Sequence, residues 1–103
     1  MMKYTLEGSG KELTVDDRGV YIVEKGISTF IPLRSIESIV IKEASTLSGG
    51  YILFRTPGSY IGTQSTKTTD MEVAMDKQAV FFKKGSNETA LSIRDAIAEK
   101  LAL

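Results

Sequence analysis

The chain contains no cysteine and no histidine among its 103 residues. Without cysteine it can form no disulfide, no thiol nucleophile and no cysteine metal site. Without histidine it lacks the usual general base near neutral pH and the commonest metal ligand. These absences weigh against an enzyme, and we expect no catalytic residue, no cofactor and no bound metal.

Other routes to catalysis or metal binding have little support. A serine or threonine nucleophile has no substitute activating group, because no Ser-x-x-Lys pair occurs in the sequence. Some pair of carboxylates is inevitable in a chain with thirteen acidic residues, so paired acids remain possible. Asp16, Asp17 and Glu24 could meet across a hairpin, but no loop has the spaced acidic ligands and central glycine of an EF-hand. A turn explains the two aspartates better than a cation site.

Net charge and long apolar runs are also missing. Thirteen basic residues balance thirteen acidic ones, so no overall field attracts nucleic acid or anionic lipid. No window approaches the roughly 18 apolar residues of a membrane helix, and the N-terminal residues contain no signal-peptide core. We therefore expect no nucleic-acid partner and a cytoplasmic location. The hydrophobic content of 42% fits one domain over residues 1–103.

Short apolar segments separated by turn residues fill most of the chain. Turns at 8–10, 16–19 and 25–26 divide its beginning into hairpins, and Gly19 is able to take the positive φ that such tight turns often need. Pro32 suits a strand end or a sheet edge, because it has no N–H to donate. The strongest segment, 36–43, is expected to be central, and 50–55 is apolar on both faces. The predicted strands are 3–7, 12–15, 20–24, 27–31, 36–43, 50–55, 71–75 and 79–83.

The only clear helical pattern lies at the end of the chain. Apolar residues recur there at steps of three and four and form one stripe, made of Ala90, Ile93, Ile97 and Leu101. Asn87, or Ser86 before it, can accept a hydrogen bond from the first-turn amides, which predicts a helix over 87–102. An isolated helix of this length is marginally stable, so its stripe must dock on the sheet.

About seven antiparallel strands followed by one helix predict a mainly β fold, with a bent sheet or partly open barrel capped by the helix. Three stretches also carry a likeness to a known family: FIPLRSIESI at 30–39, GYILF at 50–54 with Pro57 and Gly58, and AVFF at 79–82 leading into the helix. Their order resembles a bacterial pleckstrin-homology-like (PH-like) family of unknown function, often paired with a helical SHOCT domain. No SHOCT segment follows here, so we expect a standalone member or an excised domain.

The resemblance implies an alternative function, binding of anionic lipid. Lipid-binding PH domains place several basic residues in and after the first hairpin, because phosphates need convergent cations. Here that hairpin has Lys11 alone, and no arginine has a basic residue two positions before it. Lys11, Arg18, Lys25 and Lys67 in candidate loops keep a peripheral lipid-binding module as the alternative function. Solvated surface charge is the simpler explanation for them.

The polar segment 59–70 is the longest predicted loop, and we expect it to be mobile and to hold a functional surface. Its apolar anchors, Tyr60 and Ile61, can contact a partner or a membrane interface. Packing of the loop onto its own domain is the alternative. The other aromatic residues of the strands are expected in the core or in half-buried sheet positions: Phe30, Tyr51, Phe81 and Phe82.

These patterns predict a non-enzymatic interaction module that binds protein, either by strand addition at an exposed sheet edge or in the groove beside the helix. Self-association is the simplest version, because sheets with an open edge often pair and segment 36–41 would tolerate pairing. The candidate binding residues are Tyr60, Ile61, Lys11, Arg18 and Lys67.

Overall fold

The computed structural model describes residues 2–57 and 77–102. The predicted loop 59–70, with Tyr60, Ile61 and Lys67, lies outside the described residues, as does the predicted strand 71–75.

The described residues form a mainly β structure with a C-terminal helix, as the sequence predicts. Two strands, at 3–7 and 50–55, have the predicted bounds, and the others differ by one or two residues at an end. The strands are β1 (Lys3–Glu7), β2 (Glu12–Asp16), β3 (Gly19–Glu24), β4 (Ile27–Pro32), β5 (Ser38–Lys42), β6 (Gly50–Arg55) and β7 (Ala79–Phe82). The helix is α1 (Asn87–Leu101), and short 3₁₀ turns cover Leu33–Ser35 and Lys84–Ser86.

The strands form two antiparallel sheets, one in the order β1-β2-β3-β4 and the other in the order β5-β6-β7. The predicted central position of segment 36–43 is wrong, because β5 pairs with β6 alone in the described part of the chain. All five residues of β5 are half-buried, whereas five of the six residues of β6 are buried. Ile39 and Ile41 pack against the main core and Val40 packs against Tyr51 and Leu53, so both faces of β5 are partly covered, as its uniform half-burial shows.

The sheets do not close into a barrel within the described residues. They meet where the β1–β2 turn contacts β7. The Ser9 amide donates to the Phe81 carbonyl at 2.8 Å, and the Lys11 ammonium donates to the Ala79 carbonyl at 2.8 Å. The result is a partly open structure of two joined sheets with the helix packed on it.

The main core draws on both sheets and on the helix. Ile52, Phe54, Val80 and Phe82 contribute from the second sheet and pack with the inward residues of the first. The predicted helical stripe is confirmed: Ala90, Ile93 and Ile97 are fully buried, and Leu101 packs at the margin of the core. β6 is covered on both faces, as predicted, since Tyr51 and Leu53 belong to a second buried cluster. No helix in the described ranges has the length and apolar content needed to cross a membrane.

The turn at 16–19 forms as predicted, and the Asp16 side chain closes it. Asp16 Oδ1 accepts hydrogen bonds from the amides of Arg18 and Gly19, at 2.8 and 3.2 Å. Gly19 does not adopt the positive φ that is open to it, since only Gly10 and Gly26 among the described glycines have one. Gly19 is instead close to the Ile31 carbonyl, where a Cβ would come within 2.4 Å of the oxygen.

Asn87 does not cap the helix, and neither does Ser86, which makes no side-chain capping hydrogen bond. Instead the Asn87 side chain bonds Ala44 twice, accepting from its amide at 2.7 Å and donating to its carbonyl at 2.8 Å. This pair fastens the residues after β5 to the first turn of α1. The capping prediction is wrong because an asparagine at a helix start can either cap the helix or bond a neighbouring segment. The position of Ala44 favours the second.

Candidate functional site

Exposed apolar side chains concentrate on the β3–β4 hairpin. Of the four large apolar side chains exposed in the described ranges, three belong to this hairpin: Val23, Ile27 and Phe30, which is 47% exposed. Phe30 lies opposite Tyr21 across the strands, with ring centroids 4.9 Å apart. Val23 and Phe30 share the outer face of the hairpin, whereas Ile27 lies on the opposite face. Exposed apolar residues that share a face, as Val23 and Phe30 do, mark an interaction surface more often than scattered ones do.

β4 is the last strand of its sheet in the described part of the chain. The two-residue turn at Lys25 and Gly26, both with positive φ, is closed by the hydrogen-bonded pair Glu24–Ile27. Hydrogen-bonded and non-hydrogen-bonded pairs alternate along an antiparallel ladder. The backbone groups of the odd-numbered residues of β4 are therefore hydrogen-bonded to β3. The Leu33 amide continues this pattern, donating inward to the Arg18 carbonyl at 3.3 Å.

The even-numbered residues of β4 therefore direct their backbone groups away from β3. Ser28 and Phe30 each offer an outward N–H and C=O, while Pro32 offers a C=O alone. We call this row of outward groups, with the side chains around it, the β4 edge.

A cleft of about 540 Å³ begins where the β4 edge ends. Its apolar lining comes from Phe30, Pro32, Leu33 and Leu101. Its charged lining comes from three cations and one acid: Arg18, Arg34, Lys100 and Asp17. We call it the basic cleft.

Asp17 joins three parts of the fold at the rim of the basic cleft. Its Oδ1 accepts a hydrogen bond from the Met2 amide at 3.1 Å and another from the Lys100 ammonium at 3.1 Å. The Met2 hydrogen bond first, and then the Lys100 ammonium, lower the pKa of Asp17 below its ordinary value of 3.8. The carboxylate thus ties the start of β1 and the end of α1 to the β2–β3 turn.

This lowered pKa gives a stability contribution with a defined pH range. The contribution is present above the ordinary pKa of 3.8 and is lost as the pH falls through the lower pKa of the folded state. Asp17→Asn should therefore melt at a lower temperature than the wild type at pH 6, and the two melting temperatures should converge as the pH falls below 3.8. Circular dichroism melts across this range measure the difference. A constant offset at every pH would contradict an electrostatic role for Asp17.

The predicted binding residues are not brought together. Lys11 lies just before β2 and is held by the Ala79 carbonyl, so its ammonium has a structural role. Arg18 lies beyond the other end of β2, in the basic cleft. Lys25 is in the β3–β4 turn. Tyr60, Ile61 and Lys67 lie outside the described residues.

Sequence patterns missed Phe30, Arg34 and Lys100 as surface residues of a possible site. Phe30 was expected in a core or half-buried position but is exposed, because it occupies the outer face of the β4 edge. Arg34 and Lys100 stand 66 positions apart in the sequence and meet only through the fold.

The described ranges contain no group of three or more acidic residues placed to hold a metal ion. Comparison of the chain with models of protein families, with curated proteins and with solved structures finds no match.

Proposed function

We propose that this protein is a non-enzymatic module with a PH-like fold that binds protein by accepting a strand along the β4 edge. The element order of seven described strands followed by a helix supports the PH-like assignment. The observation that carries the binding function is the concentration of exposed Val23, Ile27 and Phe30 on one hairpin whose outer strand is an edge. Strand addition suits such a surface, because backbone hydrogen bonds give affinity and neighbouring side chains give specificity.

The β4 edge offers an added strand both kinds of interaction. Ser28 and Phe30 provide outward amide and carbonyl groups, and the Tyr21–Phe30 pair provides an apolar surface beside them. Neither kind is sufficient alone, since a short ladder gives few hydrogen bonds and a small apolar patch gives little specificity. Their presence on the same strand favours an extended polypeptide as the ligand.

A second copy of the chain is the simplest occupant to test. Two β4 strands related by a twofold axis would pair antiparallel, each satisfying the outward groups of the other. The ladder would be short, so we expect a weak dimer with a dissociation constant between about 10 µM and 1 mM. Sedimentation equilibrium across this concentration range measures it.

Ser28→Pro should abolish this association. The substitution removes the outward Ser28 amide and leaves the ladder to β3 intact, a place where edge strands tolerate proline. Ser28→Ala is the matched control, since it keeps the amide and should associate like the wild type. Hydrogen exchange gives a second readout: the Ser28 and Phe30 amides should become protected as concentration rises, and the Thr29 amide should not change. A wild-type chain that stays monomeric at about 1 mM would contradict self-association through β4.

The alternative, a module for anionic lipid, has less support. Of its four candidate cations, Lys11 is bound to the Ala79 carbonyl, while Arg18 and Lys25 lie at different turns.

A further inference from the structure

The basic cleft collects cations that the sequence keeps far apart. Arg18 comes from the β2–β3 turn, Arg34 from the 3₁₀ turn after β4, and Lys100 from the last turn of α1. All three side chains line one cleft, whose apolar surface comes from Phe30, Pro32, Leu33 and Leu101. The chain as a whole carries no net charge, so this concentration of positive charge is local.

The charges of the basic cleft do not cancel. Asp17 is its only acidic lining residue in the described ranges, and Asp17 is already bonded to Lys100 and the Met2 amide. Neither the Arg18 nor the Arg34 guanidinium has a hydrogen-bond or ion-pair partner among the described residues. Two such guanidinium groups at a cleft with an apolar surface suit carboxylates, which they can bind through paired N–H donors.

The basic cleft is continuous with the β4 edge. Phe30 and Pro32 belong to both: their backbone groups point outward from β4 and their side chains line the cleft. A strand added to β4 would therefore reach Arg18 and Arg34 as it passes Pro32. We infer that the segment bound along the β4 edge is an acidic peptide, with its carboxylates at the end that lies in the basic cleft. This inference rests on the proposed function and specifies its partner.

Charge also separates this partner from a second copy of the chain. The β4 strand and the residue after it, from Ile27 to Leu33, contain no acidic residue. Self-pairing therefore brings no carboxylate from β4 to Arg18 or Arg34. An acidic segment gains the same backbone hydrogen bonds and adds two charge-assisted contacts, so it binds the β4 edge more tightly.

Fluorescein-labelled peptides test the inference by anisotropy on the full chain. Each peptide has about eight residues, with alternating threonine and valine to pair with β4 and a run of glutamates at one end. One version carries the glutamates at its N-terminus and another at its C-terminus, because the direction of the added strand is not assumed. Matched peptides have glutamine in place of glutamate.

At about 50 mM salt, one acidic peptide should bind roughly tenfold more tightly than its glutamine version, and the difference should shrink at about 500 mM. The double variant R18Q/R34Q should remove this difference. Arg94→Gln is the control, because Arg94 is exposed, pairs with Asp95 and does not line the cleft. Ser28→Pro should weaken the acidic and glutamine peptides alike.

Three results would overturn the inference. If glutamine and glutamate peptides bind equally and Ser28→Pro weakens both, the β4 edge stands as a strand site and the acidic partner is wrong. If Ser28→Pro leaves the affinity for the acidic peptide unchanged, the cleft binds anions independently of strand addition. If no peptide binds, and vesicles of phosphatidylcholine with about one quarter phosphatidylglycerol pellet the wild type but not R18Q/R34Q, the cations serve a lipid surface instead.

Discussion

Asn87→Ala is expected to lower the free energy of unfolding by about 2–4 kcal/mol. The substitution removes both hydrogen bonds between residue 87 and Ala44. Ala44 is only 6% exposed, so its amide and carbonyl are left without a partner. A poorly solvated backbone group that loses its partner costs about 1–3 kcal/mol. The higher helix propensity of alanine offsets only a few tenths of this. Urea unfolding followed by circular dichroism gives the value.

Ser86→Ala separates this explanation from ordinary helix capping. Ser86 occupies the capping position but makes no capping hydrogen bond, so its replacement should change stability by less than about 0.5 kcal/mol. Asn87→Asp keeps an acceptor for the Ala44 amide and loses the donor to the Ala44 carbonyl. Its effect on stability should therefore fall between those of Ser86→Ala and Asn87→Ala. If Ser86→Ala costs more than Asn87→Ala, the role assigned to Asn87 is wrong.

Gly8→Ala is expected to destabilise the protein by about 3 kcal/mol. A Cβ at Gly8 would lie 2.4 Å from the Phe81 carbonyl oxygen and 2.4 Å from Val80 Cγ1. The carbonyl is backbone and Val80 is fully buried, so neither can move without disturbing β7. The methyl group would therefore push the β1–β2 turn away from β7 and strain the junction between the sheets.

Gly85→Ala is the matched control for this prediction, because no atom lies within 4 Å of a Cβ there and its φ is not positive. Its effect should stay within about 0.5 kcal/mol of zero. Thermal and urea unfolding of both variants provide the comparison. A Gly8→Ala protein as stable as Gly85→Ala would show that the two sheets do not depend on close approach at this turn.

Local patterns predicted the elements because burial leaves a periodic trace in the chain. The turn residues that follow β1 and the apolar run of β6 predicted the bounds of both strands to the residue, and the stripe of α1 identified its buried face. Strand order was not predictable in the same way. The alternation of Ile39 and Ile41 shows that one face of β5 is apolar, but it carries no information on how many neighbours β5 has.

The candidate site was less predictable than the fold. Arg18 was identified as a possible binding residue, but Arg34 and Lys100 join it only because a turn, a 3₁₀ segment and a helix end converge. Phe30 sits in a strand whose other face is buried at Ile31, and an aromatic residue there is ordinarily interior. Whether its ring faces solvent depends on what covers the outer sheet face, which short-range patterns do not encode.

Pro32 also bears on how the protein avoids aggregation. An apolar hairpin at an open sheet edge is ordinarily a place where cross-β stacking begins. In β4 the outward amides end with Ser28 and Phe30, because proline follows at the next outward position and the backbone then turns into Leu33–Ser35. Two outward amides are too few to template a long ladder. The exposed hairpin therefore gives little support to the growth of fibres.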